Sequence, residues 1–272
     1  MQTVTTQGIA MPKLGLGTFK LTGDAGQAAV ESGLAVGYRH LDTAEMYGNE
    51  EQVGAAIAAS GVARDDLHVT TKVWHDHLAP DAIRRALDDS LRKLRLDHVD
   101  LYLVHWPAPG MDLGAIFETL GRLKEQGRIR ALGVANFTLP LLRKSIDEIG
   151  APVACNQVEY HVYLDQSAVL GYLRSKGVPL VAYCPMAQGR AADDPVLAKI
   201  AARHGVSAGQ VALKWLLDQD GVCAIPKSSR AAGQCANLDA WSVTLDDADR
   251  EAIAGLPKDR RFVNPAFAPA WD

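Results

Sequence analysis

Four side chains in this sequence are of the kinds that deliver a proton to an oxygen: Asp42, Tyr47, Lys72 and His105. Asp42 and Tyr47 lie in Leu41-Asp-Thr-Ala-Glu-Met-Tyr-Gly-Asn-Glu50. Lys72 follows the apolar run in Leu67-His-Val-Thr-Thr-Lys-Val-Trp74, and His105 closes Val99-Asp-Leu-Tyr-Leu-Val-His-Trp-Pro107. A free tyrosine, with a pKa of about 10, is a poor acid at neutral pH. A buried ammonium beside it favours the phenolate and is expected to bring that value toward the working range. An aspartate can hold the lysine charged and in place, and a histidine can position the group that receives the proton. That is equipment for protonating a carbonyl oxygen. Singly, each residue has an ordinary explanation, such as a turn aspartate or a solvated lysine. The argument rests on all four following strand-like runs.

Those runs must bring the four together. Short stretches rich in β-branched residues near 14–17, 38–41, 67–72, 99–104, 129–134, 153–158, 179–183 and 222–225 read as strands. Helical patterns fill the gaps at about 25–36, 49–59, 80–95, 112–126, 138–149, 166–176, 194–218 and 230–240. In Asp81–Leu94 the apolar Ile83, Leu87, Leu91 and Leu94 recur at helical spacing, with arginines and aspartates opposite and Pro80 at the start. Strand–helix alternation repeated eight times implies a parallel sheet, and within about 250 residues it fits a closed barrel. An open dinucleotide-binding sheet would carry G-x-G-x-x-G after its first strand. Here Leu14-Gly-Leu-Gly-Thr-Phe19 lacks the third glycine. The predicted fold is α/β: a (β/α)8 TIM barrel spanning 1–272 as a single domain. An N-terminal β-hairpin over Val4–Met11 and an extra C-terminal helix over Leu245–Leu256, capped by Thr244, frame it. The proline- and aromatic-rich tail after Pro257 is expected to pack over a surface. In such a barrel, groups at the C-terminal ends of neighbouring strands face one mouth.

Composition narrows the function classes. A net charge of −4 gives no general attraction to nucleic acid or an anionic membrane. No apolar stretch reaches the roughly 20 residues of a membrane span, and the first ten residues have no signal-peptide core. The four cysteines lack metal-ligand spacing, which reads as reduced thiols in the cytoplasm. His75-Asp-His77 has a ligand-like H-x-H spacing, but no supporting set follows on later strands, so a solvated loop and no metal are expected.

Taken together, the Asp-Thr-Ala-x-x-Tyr-Gly-Asn-Glu, Thr-Lys-x-Trp and Leu-x-Leu-x-His-Trp-Pro runs resemble the aldo-keto reductases over nearly the whole chain. The short loops and the ending Asp259–Asp272 look most like bacterial 2,5-diketo-D-gluconate and methylglyoxal reductases. The resemblance implies Tyr47 as general acid, Lys72 and Asp42 as its tuning pair, and His105 as the residue orienting the carbonyl. It implies NADPH/NADP+ held without a Rossmann motif and, by family tendency, a monomer. Gly17, Thr18 and Phe19 match the turn near the nicotinamide. Asn136 and Gln157 match the amides that bind its carboxamide, and Tyr183 matches the ring on which it stacks. Lys227, Ser228 and Arg230 match the site of the adenosine 2′-phosphate, and Asn237 a contact to adenine. Several positions depart from the family pattern. Gly233 and Ala236 replace an arginine and a glutamate near the adenosine. Ala135, Cys184 and Met186 replace other family residues near the carboxamide and pyrophosphate.

Phe19, Trp74, Trp106 and Trp271 are candidates to line an apolar mouth. The short connection from Trp106 to Asp112 and the short tail imply an open pocket suited to a small carbonyl substrate. A second reading is an NADPH-binding regulatory or sensor barrel with little turnover, against which the intact four-residue set argues. A third is a metal-dependent hydrolase, which lacks its ligands.

Overall fold

The computed structural model describes residues 2–272. Strands β1 (Thr3–Thr6) and β2 (Ile9–Pro12) form an antiparallel hairpin. Eight parallel strands follow: β3 (Leu16–Gly17), β4 (His40–Asp42), β5 (His68–Val73), β6 (Val99–Val104), β7 (Ile129–Ala135), β8 (Val153–Glu159), β9 (Leu180–Tyr183) and β10 (Val222–Ala224). They pair in chain order. The residues leading into β3 close the ring against β10 through Ala224 N–H to the Lys13 carbonyl (2.7 Å) and Gly15 N–H to the Ala224 carbonyl (2.9 Å). The chain forms the (β/α)8 barrel that its alternation predicts.

The helices are α1 (Gly23–Ala35), α2 (Glu50–Ser60), α3 (Pro80–Leu94), α4 (Leu113–Glu125), α5 (Leu139–Arg143), α6 (Ser167–Ser175), α7 (Pro195–His204), α8 (Ala208–Leu217), α9 (Ala231–Leu238) and α10 (Asp247–Ala254). The α3 stripe of Ile83, Leu87, Leu91 and Leu94 is buried as its spacing requires. Two expectations need correction. The single helical pattern at 194–218 is two helices, because Gly205 turns left-handed (φ 65°) and Ser207 opens α8 with a reciprocal capping box to Gln210. The extra helix is capped by Asp246 paired with Asp249, not by Thr244, and it is shorter than 245–256.

Alternation along each strand sorts side chains between two cores. Tyr102 and Val104 face the helices, whereas Leu101 and Leu103 fill the barrel interior with Met11, Ala131, Cys155, Val181 and Cys223. The hairpin seals the N-terminal end: Met11 is fully buried, and the Thr6 hydroxyl donates to the Ala154 carbonyl at 2.9 Å. The same alternation points Lys72, His105, Gln157 and Tyr183 inward at the opposite end.

Candidate active site

Lys72, at the inward-facing end of β5, is fully buried, as is Asp42 at the end of β4. An ammonium has three hydrogens to place, and here each finds an acceptor. Lys72 Nζ donates to Asp42 Oδ1 (2.5 Å), to the Thr43 carbonyl (2.7 Å) and to the Tyr47 hydroxyl oxygen (3.3 Å). Since Tyr47 accepts from the lysine, its own hydrogen is directed elsewhere. The Tyr47 ring is only partly covered, packing against Phe19 (centroids 5.0 Å) and edge-on to His105 (5.6 Å). Aspartate, lysine, tyrosine and histidine thus form one cluster at the C-terminal mouth of the barrel.

The electrostatics differ from the sequence-based expectation in one respect. Burial raises the Tyr47 pKa, and Lys72 only partly offsets it, while Asp42 adds to the rise. The net shift is upward. The ammonium is already compensated by a carboxylate 2.5 Å away, so it cannot acidify the phenol as a bare charge would. The pair keeps Tyr47 protonated and aimed. Burial would discharge Lys72, but Asp42 and Tyr47 outweigh it and its pKa is raised. Burial, followed by the charges of Lys72 and His75, holds His105 well below the ordinary histidine range. It is a neutral imidazole, and its buried Nδ1 has no partner among the described residues.

The amides expected to bind a cofactor are also tied into this cluster. Gln157 donates to the second carboxylate oxygen of Asp42 (2.7 Å). Asn136 takes the left-handed conformation (φ 61°), which asparagine tolerates better than most residues. Its amide nitrogen donates to the His105 carbonyl (2.9 Å), and its oxygen accepts from the Tyr183 hydroxyl (2.8 Å). Thr18 is buried, and its hydroxyl is used by the Asp42 carbonyl (3.0 Å). Asn49, inside the first motif but not singled out there, donates to the carbonyls of Thr18 (2.7 Å) and Leu21 (2.8 Å) and accepts from Thr43 (2.8 Å). It locks the loops after β3 and β4 together.

At the β10 end, Gly17 passes so close that a Cβ would lie 2.7 Å from the Ile225 carbonyl oxygen. Lys227 and Arg230 are exposed and form no ion pair among the described residues. The Ser228 hydroxyl instead donates to the Arg230 carbonyl (3.0 Å). Gly233 makes room for it, since a Cβ there would meet that oxygen at 2.5 Å. Asn237 is buried with its amide nitrogen unpartnered. After β9, Cys184, Ala187 and Gln188 all have positive φ, the kind of strain that accumulates at ligand sites. Burial pushes the half-covered Cys184 thiol up to about 12. Met186 is half-buried beside it.

The tail supplies the remaining wall. Phe267, which no periodicity singled out, meets Trp74 and Trp106 edge-on (each 5.5 Å between centroids) and lies over His75 (4.3 Å). Trp271 meets Trp106 at 6.0 Å, and Trp74 meets His105 at 5.1 Å. Trp106 is buried, so it backs the wall more than it lines it. His77 is held by Glu45 through its Nδ1 (2.6 Å). A cavity of about 830 Å³ lies at the other end of the barrel under the hairpin, lined by residues such as Arg39, His68 and Lys124. It is remote from the cluster of Asp42, Tyr47, Lys72 and His105.

Residues 13–257 match the pattern of the Aldo/keto reductase family. The chain belongs to that family. It is 42% identical over 268 residues to methylglyoxal reductase DkgB of Salmonella typhimurium, covering 97% of this chain and all of that one. The glyoxal reductase of Bacillus subtilis is 40% identical over 256 residues, 93% of this chain and 92% of the relative. Among solved structures, a candidate 2,5-diketo-D-gluconic acid reductase B superposes with a TM-score of 0.95 at 40% identity, covering 100% of this chain and 98% of that one. An aldo/keto reductase from Brucella melitensis gives 0.87 at 37% identity, covering 93% and 98%.

Proposed function

We propose that this aldo/keto reductase uses NADPH to reduce aldehydes and ketones to alcohols, with small α-dicarbonyls and keto-sugars as substrates. The observation that carries the reading is the saturation of Lys72. With its three hydrogens on Asp42, Thr43 and Tyr47, the phenolic hydrogen of Tyr47 is left to donate into the mouth. The neutral His105 ring beside it supplies a hydrogen-bonding group that fixes a carbonyl oxygen within reach of Tyr47.

The residues present fit a dinucleotide. Asn237, beside the Tyr38 hydroxyl, offers a buried amide nitrogen with no acceptor within hydrogen-bonding distance among the described residues, and Lys227 and Arg230, in no ion pair among them, offer cations for a phosphate. Asn136, Gln157 and Tyr183 would hold the nicotinamide end beside Gly17, Thr18 and Phe19. Cys184 and Met186 would border the pyrophosphate, and Ser228 would flank the 2′-phosphate. When bound, the reduced nicotinamide supplies the hydride taken up by the carbonyl carbon. Negative charge then grows on the oxygen, and Tyr47 neutralises it by transferring its proton. Transfer by a placed acid is worth roughly 3–5 kcal/mol of barrier, from a factor of about 10²–10⁴. Lys72 stabilises the phenolate left behind, and Asp42 keeps Lys72 charged.

The names borne by the relatives, methylglyoxal, glyoxal and 2,5-diketo-D-gluconic acid reductase, support the substrate class. The protein is taken as a cytoplasmic monomer made of one domain. The test is loss of 340 nm absorbance when methylglyoxal is added to metal-free protein with NADPH. Tyr47→Phe should cut turnover at least a hundredfold while leaving the NADPH dissociation constant within about twofold. Undiminished turnover in that variant would remove Tyr47 as the acid. NADPH binding without turnover by the unaltered chain would favour the sensor reading.

A further inference from the structure

The turn that carries Tyr47 is bound from outside itself. Glu45–Tyr47 forms a single turn of 3₁₀ helix that ends at Gly48 in the left-handed conformation (φ 63°), and none of its three residues is fully buried. Met46 is 41% exposed. Apolar burial therefore contributes little here, and one isolated helical turn is unfavourable on its own.

Glu45 directs both carboxyl oxygens to a different segment, the loop that leaves β5. Its Oε2 accepts from the Trp74 N–H (2.9 Å), 29 residues away, and its Oε1 meets His77 Nδ1 (2.6 Å). That loop is folded back on itself by the His77 N–H, which donates to the Trp74 carbonyl (3.0 Å). The ordinary account of such a glutamate is a solvated charge or a surface ion pair. Its side chain is only 19% exposed, and it pairs with no lysine or arginine among the described residues. Neither account fits.

The two segments that Glu45 joins contact the same ring. Tyr47 stands edge-on to His105 with centroids 5.6 Å apart, and Trp74 stands edge-on to it at 5.1 Å. Glu45, two residues before Tyr47 and bonded to Trp74, closes the third side of this triangle. We infer that Glu45 is a positioning residue for carbonyl reduction, which through the Trp74 N–H fixes the indole wall relative to the Tyr47 hydroxyl. It thereby sets where a substrate's side group lies while its oxygen is at the acid. The inference deepens the carbonyl-reductase reading and rests on it. Glu45 itself touches no reacting atom and acts through Trp74.

The test compares 1-phenyl-1,2-propanedione with 2,3-butanedione, α-diketones that differ by a phenyl ring in place of a methyl group. Glu45→Met, close in volume but without an oxygen, should lower kcat/KM for the phenyl diketone about fivefold to tenfold more than for the methyl one, the scale of a lost aromatic contact. Glu45→Gln keeps an acceptor for Trp74 and should retain most of the original preference. In a Trp74→Ala background Glu45→Met should not move the ratio further, because the wall it places is gone. A variant that merely folds less well lowers both rates alike and leaves the ratio untouched. Glu45→Ala repeats the measurement should Glu45→Met not fold. Equal losses on the two diketones, a Glu45→Gln ratio no better than that of Glu45→Met, or an undiminished effect without Trp74 overturns the assignment. If the unaltered protein reduces neither diketone, Glu45 is judged by hydrogen exchange of the Trp74 amide. Faster exchange in Glu45→Met that Glu45→Gln restores supports the tether, and unchanged exchange overturns it. Should methylglyoxal go unreduced as well, it is the reductase reading that has failed.

Discussion

Gln157 donates to Asp42 across the barrel at 2.7 Å, a link between β8 and β4 that fixes the carboxylate through the oxygen Lys72 does not use. The two oxygens of Asp42 are therefore divided, one to an ammonium and one to an amide. Gln157→Leu should cost about 1.5–3 kcal/mol of stability in urea unfolding, the worth of a hydrogen bond to a charged group, and lower kcat about tenfold. A variant with unchanged stability and a weakened NADPH dissociation constant would instead place Gln157 wholly in the service of the cofactor.

Lys72 and Asp42 form a buried pair in which, among the described residues, each is the other's only counter-charge within hydrogen-bonding distance. Removing the cation leaves a buried carboxylate uncompensated, whereas removing both leaves an apolar pair. Lys72→Met should destabilise by about 3–5 kcal/mol. The double variant Lys72→Met, Asp42→Leu should regain most of that while remaining inactive. Denaturant midpoints for the two singles and the double, with turnover at 340 nm, decide it. If the double variant is no more stable than Lys72→Met, the uncompensated-charge explanation is wrong.

Much of this arrangement was legible in the sequence because Asp42, Tyr47, Lys72 and His105 each follow a short β-branched run, and parallel strands bring their C-terminal ends to one side. The alternation Leu101, Leu103, His105 is enough to turn the histidine inward. Other features were out of reach for physical reasons. The helical stripe runs on through 194–218, and only Gly205 and the Ser207–Gln210 box mark the break. Phe267 and Arg261 sit in a tail with no period, so their contacts depend on a docking path that local pattern does not encode. The bond from Gln157 to Asp42 spans 115 residues and depends on barrel closure. The direction of the Tyr47 shift depends on a sum of opposed charges that only distances can settle.

Lys227 follows the end of β10 without an acidic partner among the described residues, where the chain approaches Gly17 closely. If it meets the 2′-phosphate, Lys227→Ala should weaken NADPH binding about tenfold or more and leave NADH binding nearly unchanged. Ser228 already bonds Arg230, and Gly233 contributes no side-chain cation, so the lysine should dominate that preference. Equal losses for both nucleotides, measured by fluorescence titration, would rule out the phosphate role.

Acid should destabilise this protein through three buried histidines. His40 and His68 stack edge-to-face at 4.5 Å under the barrel, where His40 Nδ1 meets the Pro12 carbonyl (3.1 Å) and both rings lie near Thr70. Burial lowers the pKa of each, as it does for His105. A base whose folded pKa is depressed takes up protons more readily when unfolded. Its contribution is therefore complete above the unfolded value of about 6.5 and is lost as pH falls below it. Each histidine adds at most about 1.4 kcal/mol per pH unit to the decline. Glu50, whose pKa burial raises, works in the opposite sense near the carboxylate range and only softens the lower end. Unfolding free energies from urea titrations at pH 7.5, 6.5 and 5.5 should fall only slightly over the first interval and about threefold more steeply over the second. His68→Gln should show a shallower fall. A stability that held level or rose between pH 6.5 and 5.5 would mean these rings are already protonated in the folded chain.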